Sequence, residues 1–199
     1  IAEYLEAAAR EWNWFLKSGM LNEKNLVNDG IDFTCHNNGQ TTWTYNQGVI
    51  LGALVEMFEI SRNLNPSGQP DFSYLTLARS IADAALTTLV NANGILTEPC
   101  EANNSCGADA PQFKGIFMRN LSCLHLIGIE VIQAPVSYAH YQEFIIRNAA
   151  SIWEKNRTRD NRFGLKWSGP VDRVDAARQT SALDAFNAAI PFGTSSHTT

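Results

Sequence analysis

The chain has 199 residues, a length that suits one compact domain and buries roughly 70% of its unfolded surface. A formal net charge of −5 without a basic stripe argues against a phosphate-binding, nucleic-acid-type surface, and a neutral ligand such as a glycan fits that balance better. No apolar run reaches about 18 residues, so no membrane span is expected.

The first predicted helix covers Ile1 to Lys17, with Ile1, Leu5, Ala8, Trp12 and Leu16 at helical spacing. The chain opens inside this pattern, without Met and without a signal-peptide pattern. It therefore reads as an excerpt of a longer sequence, and its N-terminus says nothing of compartment. The second helix runs from Thr44 to Arg62 on Val49, Ile50, Leu51, Leu54, Val55 and Phe58. It stops before the breaker Asn65-Pro66-Ser67-Gly68. The third covers Phe72 to Val90 and ends at Asn93-Gly94. The fourth begins near Pro111, a good first-turn residue, and reaches Gly128. The fifth lies between Pro135 and Glu154. The sixth is short, from near Thr180 to before Pro191.

Two kinds of helix alternate. Helices one, three and five are charged and one-sided, with Tyr4-Leu5, Tyr74-Leu75 and Tyr141-Gln142 opening similar stretches. Helices two and four are apolar nearly all round, which means burial on most faces. Trp43, Pro111 and Gln179 open the even helices at intervals of roughly 68 residues, the mark of a stacked repeat. A Gly-punctuated extended piece follows each odd helix: Asn28-Asp29-Gly30-Ile31, Gly94-Ile95-Leu96-Thr97 and Gly164-Leu165-Lys166-Trp167. Outer amphipathic helices alternating with buried inner ones describe an all-α ring. Three hairpins make half of an (α/α)6 toroid, which needs its missing half or a homodimer partner to cover the inner helices. An ordinary solenoid of helix pairs is the alternative. The long repeat and the gathering of polar loops before the inner helices count against it.

Four cysteines occur. Cys100 and Cys106 flank a short polar loop that a disulfide can staple, which would suit a secreted protein; zinc is the rival, but no second close Cys/His pair supports it. Cys35 and Cys123 are left unassigned. Cys35 could reach a partner in the missing half, and Cys123 could be a buried thiol on a packed helix. Sequons stand at Asn103, Asn120 and Asn156. Asn103 is the candidate for glycosylation because it lies in a loop, whereas Asn120 falls within a helix.

In such a ring the N-termini of the inner helices converge on one mouth. There the segment Gln40-Thr-Thr-Trp-Thr-Tyr-Asn-Gln-Gly48 combines hydroxyl, amide and aromatic groups, the mixture that sugars need. Trp43, Thr44, Tyr45, Asn46 and Gln47 are its candidate binding residues, although Thr44 also suits an N-cap and Trp43 a staple. The equivalent segment of the second hairpin offers Asp109, Gln112, Phe113 and Lys114, with Asp109 open between helix capping and ligand contact. Gln179 and Thr180 of the third read as capping residues. Glycoside hydrolysis needs two carboxylates facing one sugar. Asp29, Asp32, Glu98, Glu101, Asp109, Asp172 and Asp175 lie in loops, but none forms an adjacent pair, so the catalytic residues stay unknown. His36, His125, His140 and His197 show no metal spacing. Neither a metal nor a cofactor is expected.

The stretches Gly39-Gln-Thr-Thr-Trp-Thr-Tyr-Asn-Gln-Gly-Val-Ile-Leu-Gly-Ala-Leu54, Asp109-Ala-Pro-Gln-Phe-Lys-Gly-Ile-Phe-Met-Arg-Asn-Leu121 and Gln179-Thr-Ser-Ala-Leu-Asp-Ala185 closely resemble fungal members of glycoside hydrolase family 76. The resemblance implies an (α/α)6 toroid with retaining endo-α-1,6-mannosidase chemistry on mannan, or the related cell-wall transglycosylation, in a secreted or wall-bound protein. It also implies a catalytic pair of consecutive aspartates in the N-terminal half of the ring. This sequence contains no Asp-Asp, and its start matches the middle of the family domain. Residues 1–190 are therefore expected to be the C-terminal, substrate-lining half, and 191–199 a polar tail. A non-catalytic, lectin-like mannose-binding fragment is the other reading, and a helical scaffold the third.

Overall fold

The structure is a computed structural model that describes residues 2–64 and 68–192. They form six α-helices: α1 (Ala2–Ser18), α2 (Thr44–Leu64), α3 (Ser73–Thr88), α4 (Phe113–Leu126), α5 (Pro135–Lys155) and α6 (Ala176–Ala189). Among the described residues no β-strand forms, and extended pairing is limited to isolated bridges. The breaker at 65–67, Ile1 and the tail from 193 on, with His197, lie outside the described residues.

The helices make two rows. α2, α4 and α6 pack side by side as the inner row; α3 nests between α2 and α4, and α5 between α4 and α6. The core lies between the rows. Leu51, Leu54 and Phe58 of α2 and Phe117, Met118 and Leu121 of α4 meet Leu75 and Ile81 of α3 and Tyr141, Ile145 and Ile152 of α5. This is three hairpins of an α/α toroid, as the alternation of helix types predicts. α1 differs from the other outer helices: it lacks the close packing on inner helices that α3 and α5 have. Its Trp12 reaches Tyr74 of α3 at 6.1 Å between ring centroids. An apolar groove of about 410 Å³, lined by Trp12, Phe15, Ile50, Ala53 and Met57, stays open between α1 and α2.

Two element boundaries depart from expectation. α6 starts at Ala176, not near Thr180, because Asp175 is its N-cap and accepts the Arg178 N–H at 3.0 Å. α4 ends at Leu126, and the chain continues as a wide π turn over Ile127–Val131, closed by Ile132 N–H to Ile127 O at 3.0 Å. The folded body also runs past residue 190. Ile190–Phe192 forms a 3₁₀ turn, and the Phe192 ring stands 4.9 Å from that of His125.

The repeat is clearest after each outer helix. The bridges Leu21↔Val27, Val90↔Leu96 and Arg157↔Phe163 close three equivalent turns. Two residues before the end of each stands the position that turns left-handed, held by Asn25 (φ 57°), Gly94 (φ 69°) and Asn161 (φ 61°). Sequence matching had aligned Gly30 with Gly94. The structure aligns Asn25 with it, because asparagine tolerates this conformation almost as glycine does. A side-chain amide accepts the N–H of each bridge's last residue: Gln47 for Val27 at 2.7 Å, Asn148 for Leu96 at 2.9 Å and Gln179 for Phe163 at 3.2 Å.

The inner helices approach closely because glycine stands at their crossings. A Cβ on Gly48 of α2 would lie 2.6 Å from Phe117 Cα, and one on Gly115 of α4 would lie 2.7 Å from Ser181 Cα. Both clashes are with backbone, so a larger residue must separate whole helices. Gly48→Ala should therefore destabilise the protein by about 1–3 kcal/mol, read as a lower urea midpoint with an unchanged slope. An unchanged midpoint would mean that the α2–α4 crossing is not as close as described.

Candidate glycan-binding rim

The first turns of α2 and α4 bring three aromatic side chains together. Phe113 lies 5.6 Å from Trp43 and 4.3 Å from Tyr45 between ring centroids. All three are half-buried, so the cluster keeps accessible faces. Asn46 stands beside them, and its Oδ1 is enclosed without a hydrogen-bond partner among the described residues. Asp109 and Gln112 are exposed next to Phe113. Asp109 makes no side-chain capping bond. Adjoining this rim is a groove of about 600 Å³ that includes Asn28, Gln40, Thr41, Thr42 and Thr88.

The remaining candidates are braces beneath the rim. Gln47 is fully buried; its amide donates to Val27 O and Trp43 O, both at 2.9 Å, and so ties α2 to the preceding turn. Thr44 does not cap its own helix. Its buried hydroxyl donates to Glu98, and its N–H reaches the other Glu98 oxygen at 3.4 Å. Lys114, expected in the cleft, is 0% exposed. Its ammonium pairs with Glu101, donates to Leu165 O at 2.8 Å and sits 4.9 Å above the Trp167 ring. A lysine in the first turn opposes the helix dipole, so its side chain turns back under the loops, where Glu101 meets the charge. Burial pushes the Lys114 ammonium down from its usual range, while Glu101 pulls it back.

The outcome is a polar chain beneath the mouth that crosses all three hairpins. Thr44 bonds Glu98, and the Glu98 N–H donates to Glu101 Oε1 at 2.9 Å; Glu101 then holds Lys114, which ends on Leu165 and Trp167. Burial pushes the Glu98 carboxyl up to about 7, against the Thr44 hydroxyl and the Lys114 charge. Sequence reasoning treated Glu98 and Glu101 as loop acids. Their spacing of three is a capping box around the 3₁₀ turn Pro99–Glu101, and that spacing was the signal available. Arg178 was not foreseen at all. Almost fully buried, it gathers Asp172 at 3.0 Å and Asp175 in ion pairs.

Cys100 and Cys106 form a disulfide with Cα atoms 4.9 Å apart, as expected. Cys35 and Cys123 are free and exposed, so Cys123 is not a buried thiol. Of the three sequons, Asn103 is exposed. Asn120 packs on Gly52 and bonds Ile116 O at 2.8 Å, and Asn156 is fully buried against Gly164 O. Among the described residues no cluster of His, Cys, Asp or Glu could hold a metal, and no helix is long and apolar enough to cross a membrane. The loop acids are largely committed. Glu98 and Glu101 are buried, Asp172 and Asp175 bind Arg178, and Asp32 holds the turn at Thr34 and His36.

The model of "Glycosyl hydrolase family 76" matches residues 2–198. The chain is 26% identical over 189 residues to mannan endo-1,6-alpha-mannosidase DFG5 of Saccharomyces cerevisiae, a match that covers 91% of this chain and 38% of that protein. The GH76A alpha-1,6-mannanase of Salegentibacter sp. HEL1_6 has a similar structure, with a TM-score of 0.75 and 25% identity over 96% of this chain and 53% of that one. An inactive variant of that mannanase, with two aspartates substituted, was solved in complex with alpha-1,6-mannotetrose; it matches with a TM-score of 0.74 and 25% identity over 95% of this chain and 52% of that one. The chain thus spans about half the length of these solved structures.

The brace at Lys114 is open to a direct test. Lys114→Met keeps the volume but leaves the Glu101 carboxylate buried without its cation, and should cost about 3–5 kcal/mol of stability. Urea unfolding within 1 kcal/mol of wild type, roughly the worth of an exposed pair, would show that the ion pair does not hold the loops together.

Proposed function

From the premise that the chain belongs to glycosyl hydrolase family 76, we propose that it forms the substrate-lining side of a cleft for α-1,6-linked mannan. The complete protein then acts as a retaining endo-α-1,6-mannosidase or the related cell-wall transglycosylase. The observation that carries this reading is the Trp43–Tyr45–Phe113 cluster at the first turns of two adjacent inner helices. Aromatic faces take the C–H surfaces of a pyranose, and the neighbouring amides and helix N–H groups take its hydroxyls. Asn46, half-buried in the same turn, adds an amide beside the cluster. The mannotetrose complex of the Salegentibacter mannanase fits the same ligand class.

No Asp-Asp occurs here, and Glu101, Asp172 and Asp175 are taken by ion pairs within the chain. The groove between α1 and α2 supports a larger ring. α3 and α5 each nest between two inner helices, whereas α1 packs closely on neither, and the apolar slot beside Trp12, Ile50 and Met57 suits a further inner helix of the same polypeptide. A second reading, glycan binding without hydrolysis, draws on the missing acidic pair alone. A secreted or wall-bound location accords with the Cys100–Cys106 disulfide.

Asn46→Ala and Trp43→Ala, made in the intact protein that contains these residues, should each weaken α-1,6-mannotetraose binding at least about tenfold, about 1.4 kcal/mol, by calorimetry. Their melting temperatures should stay close to wild type. Sharply lower melting with unchanged affinity would make these residues structural and sink the cleft. Release of reducing ends from α-1,6-mannan separates the two readings, since a lectin-like protein binds without release. In a eukaryotic secretory host, Asn103→Gln should remove one glycan from the intact mass; an unchanged glycan count would discard that site.

A further inference from the structure

The buried chain under the rim holds two carboxyl groups, Glu98 and Glu101, and one cation. Lys114 gives its ion pair to Glu101, and Asp172 is taken by Arg178. Glu98 is left with neutral donors only, the hydroxyl and N–H of Thr44 and the Glu101 N–H of the capping box, at 0% exposure. The first turn of α2, Thr44 to Gln47, brings no charged side chain toward it. Glu101 faces it from its own loop and Lys114 from α4, so an ionised Glu98 would stand as a second negative charge around one already neutralised cation. A buried charge in that position is strongly disfavoured.

We propose that Glu98 works as a neutral carboxylic acid that positions the first turn of α2, and with it the Trp43–Tyr45–Phe113 cluster, so that this rim binds glycan at acidic pH and releases it as Glu98 ionises. The inference rests on the assignment of the rim as the glycan site. Glu98 is a positioning residue: it touches Thr44, which stands between Trp43 and Tyr45, and it does not reach the rim surface. The direction of its titration agrees, since burial raises the carboxyl from 4.5 to about 7. With only the neutral form holding the rim in place, affinity is full well below pH 7 and falls as pH rises through about 7, where the carboxyl ionises.

The test uses the intact protein and α-1,6-mannotetraose as probe, with affinity measured from pH 5 to pH 8.5. Wild type should bind about tenfold more weakly at pH 8 than at pH 5, following the neutral fraction of Glu98. Glu98→Gln offers an uncharged amide of the same shape and should hold its affinity across the range. Thr44→Val should weaken binding at every pH. If Trp43→Ala loses binding but Glu98→Gln keeps the alkaline fall, the role of Glu98 is overturned while the rim stands. If Trp43→Ala binds like wild type, the rim assignment fails and the role of Glu98 with it. Should Glu98→Gln not fold, the ¹³C carboxyl titration of Glu98 in the wild-type protein decides: a midpoint near 7 supports the neutral acid, and one in the ordinary carboxylate range overturns it.

Discussion

Lys114 carries a positive charge into a place that water does not reach, and the loops around the ring mouth are arranged by how that charge is met. Glu101 brings the second hairpin to it; Leu165 and Trp167 bring the third. Glu98, tied to Glu101 through its own N–H, extends the chain to Thr44 and the first hairpin. A buried ion pair gains little over an apolar contact of the same volume, but it is demanding in geometry and costly to leave half-formed. Here that demand fixes three otherwise independent loops in one register, at the level where the inner helices begin.

The second constraint acts on the helices themselves. Gly48 and Gly115 let α2, α4 and α6 approach until backbone meets backbone, so the first turns of neighbouring inner helices stand side by side. Phe113 can then pack across the α2–α4 boundary against both Trp43 and Tyr45. The aromatic cluster is thus a product of close helix packing above and the ionic brace below. Side chains held from both directions keep little freedom to lose.

The three turns after the outer helices show how a repeat survives divergence of sequence. The left-handed position is kept as Asn25, Gly94 and Asn161, and each bridge is closed by an amide, from Gln47, Asn148 or Gln179. Two of these amides sit on inner helices and one on an outer helix, so the chemistry of closure is retained while the element that supplies the acceptor changes. The same economy explains why Gln47 and Gln179, which look like ligand or capping groups in a polar rim segment, are buried or half-buried structural ties.

By itself the sequence determined the helical class, the alternation of inner and outer helices, the repeat and the stapled loop at Cys100 and Cys106. Each depends on local information: periodicity of apolar residues, turn-forming residues and the short spacing of two cysteines. It also placed Trp43, Tyr45, Asn46 and Phe113 at one rim, because equivalent helix starts in a repeat must stand at equal height. Only the tertiary structure decided which polar residues of those segments face outward. Thr44, Gln47 and Lys114 share their segments with exposed or half-buried neighbours, yet partners more than ten residues away draw them inside: Glu98, Val27, Glu101 and Leu165. Long-range pairing leaves no trace in local spacing. Whether a polar side chain serves a ligand or the fold is set by what the other loops place beside it, and that is known only once the hairpins have packed.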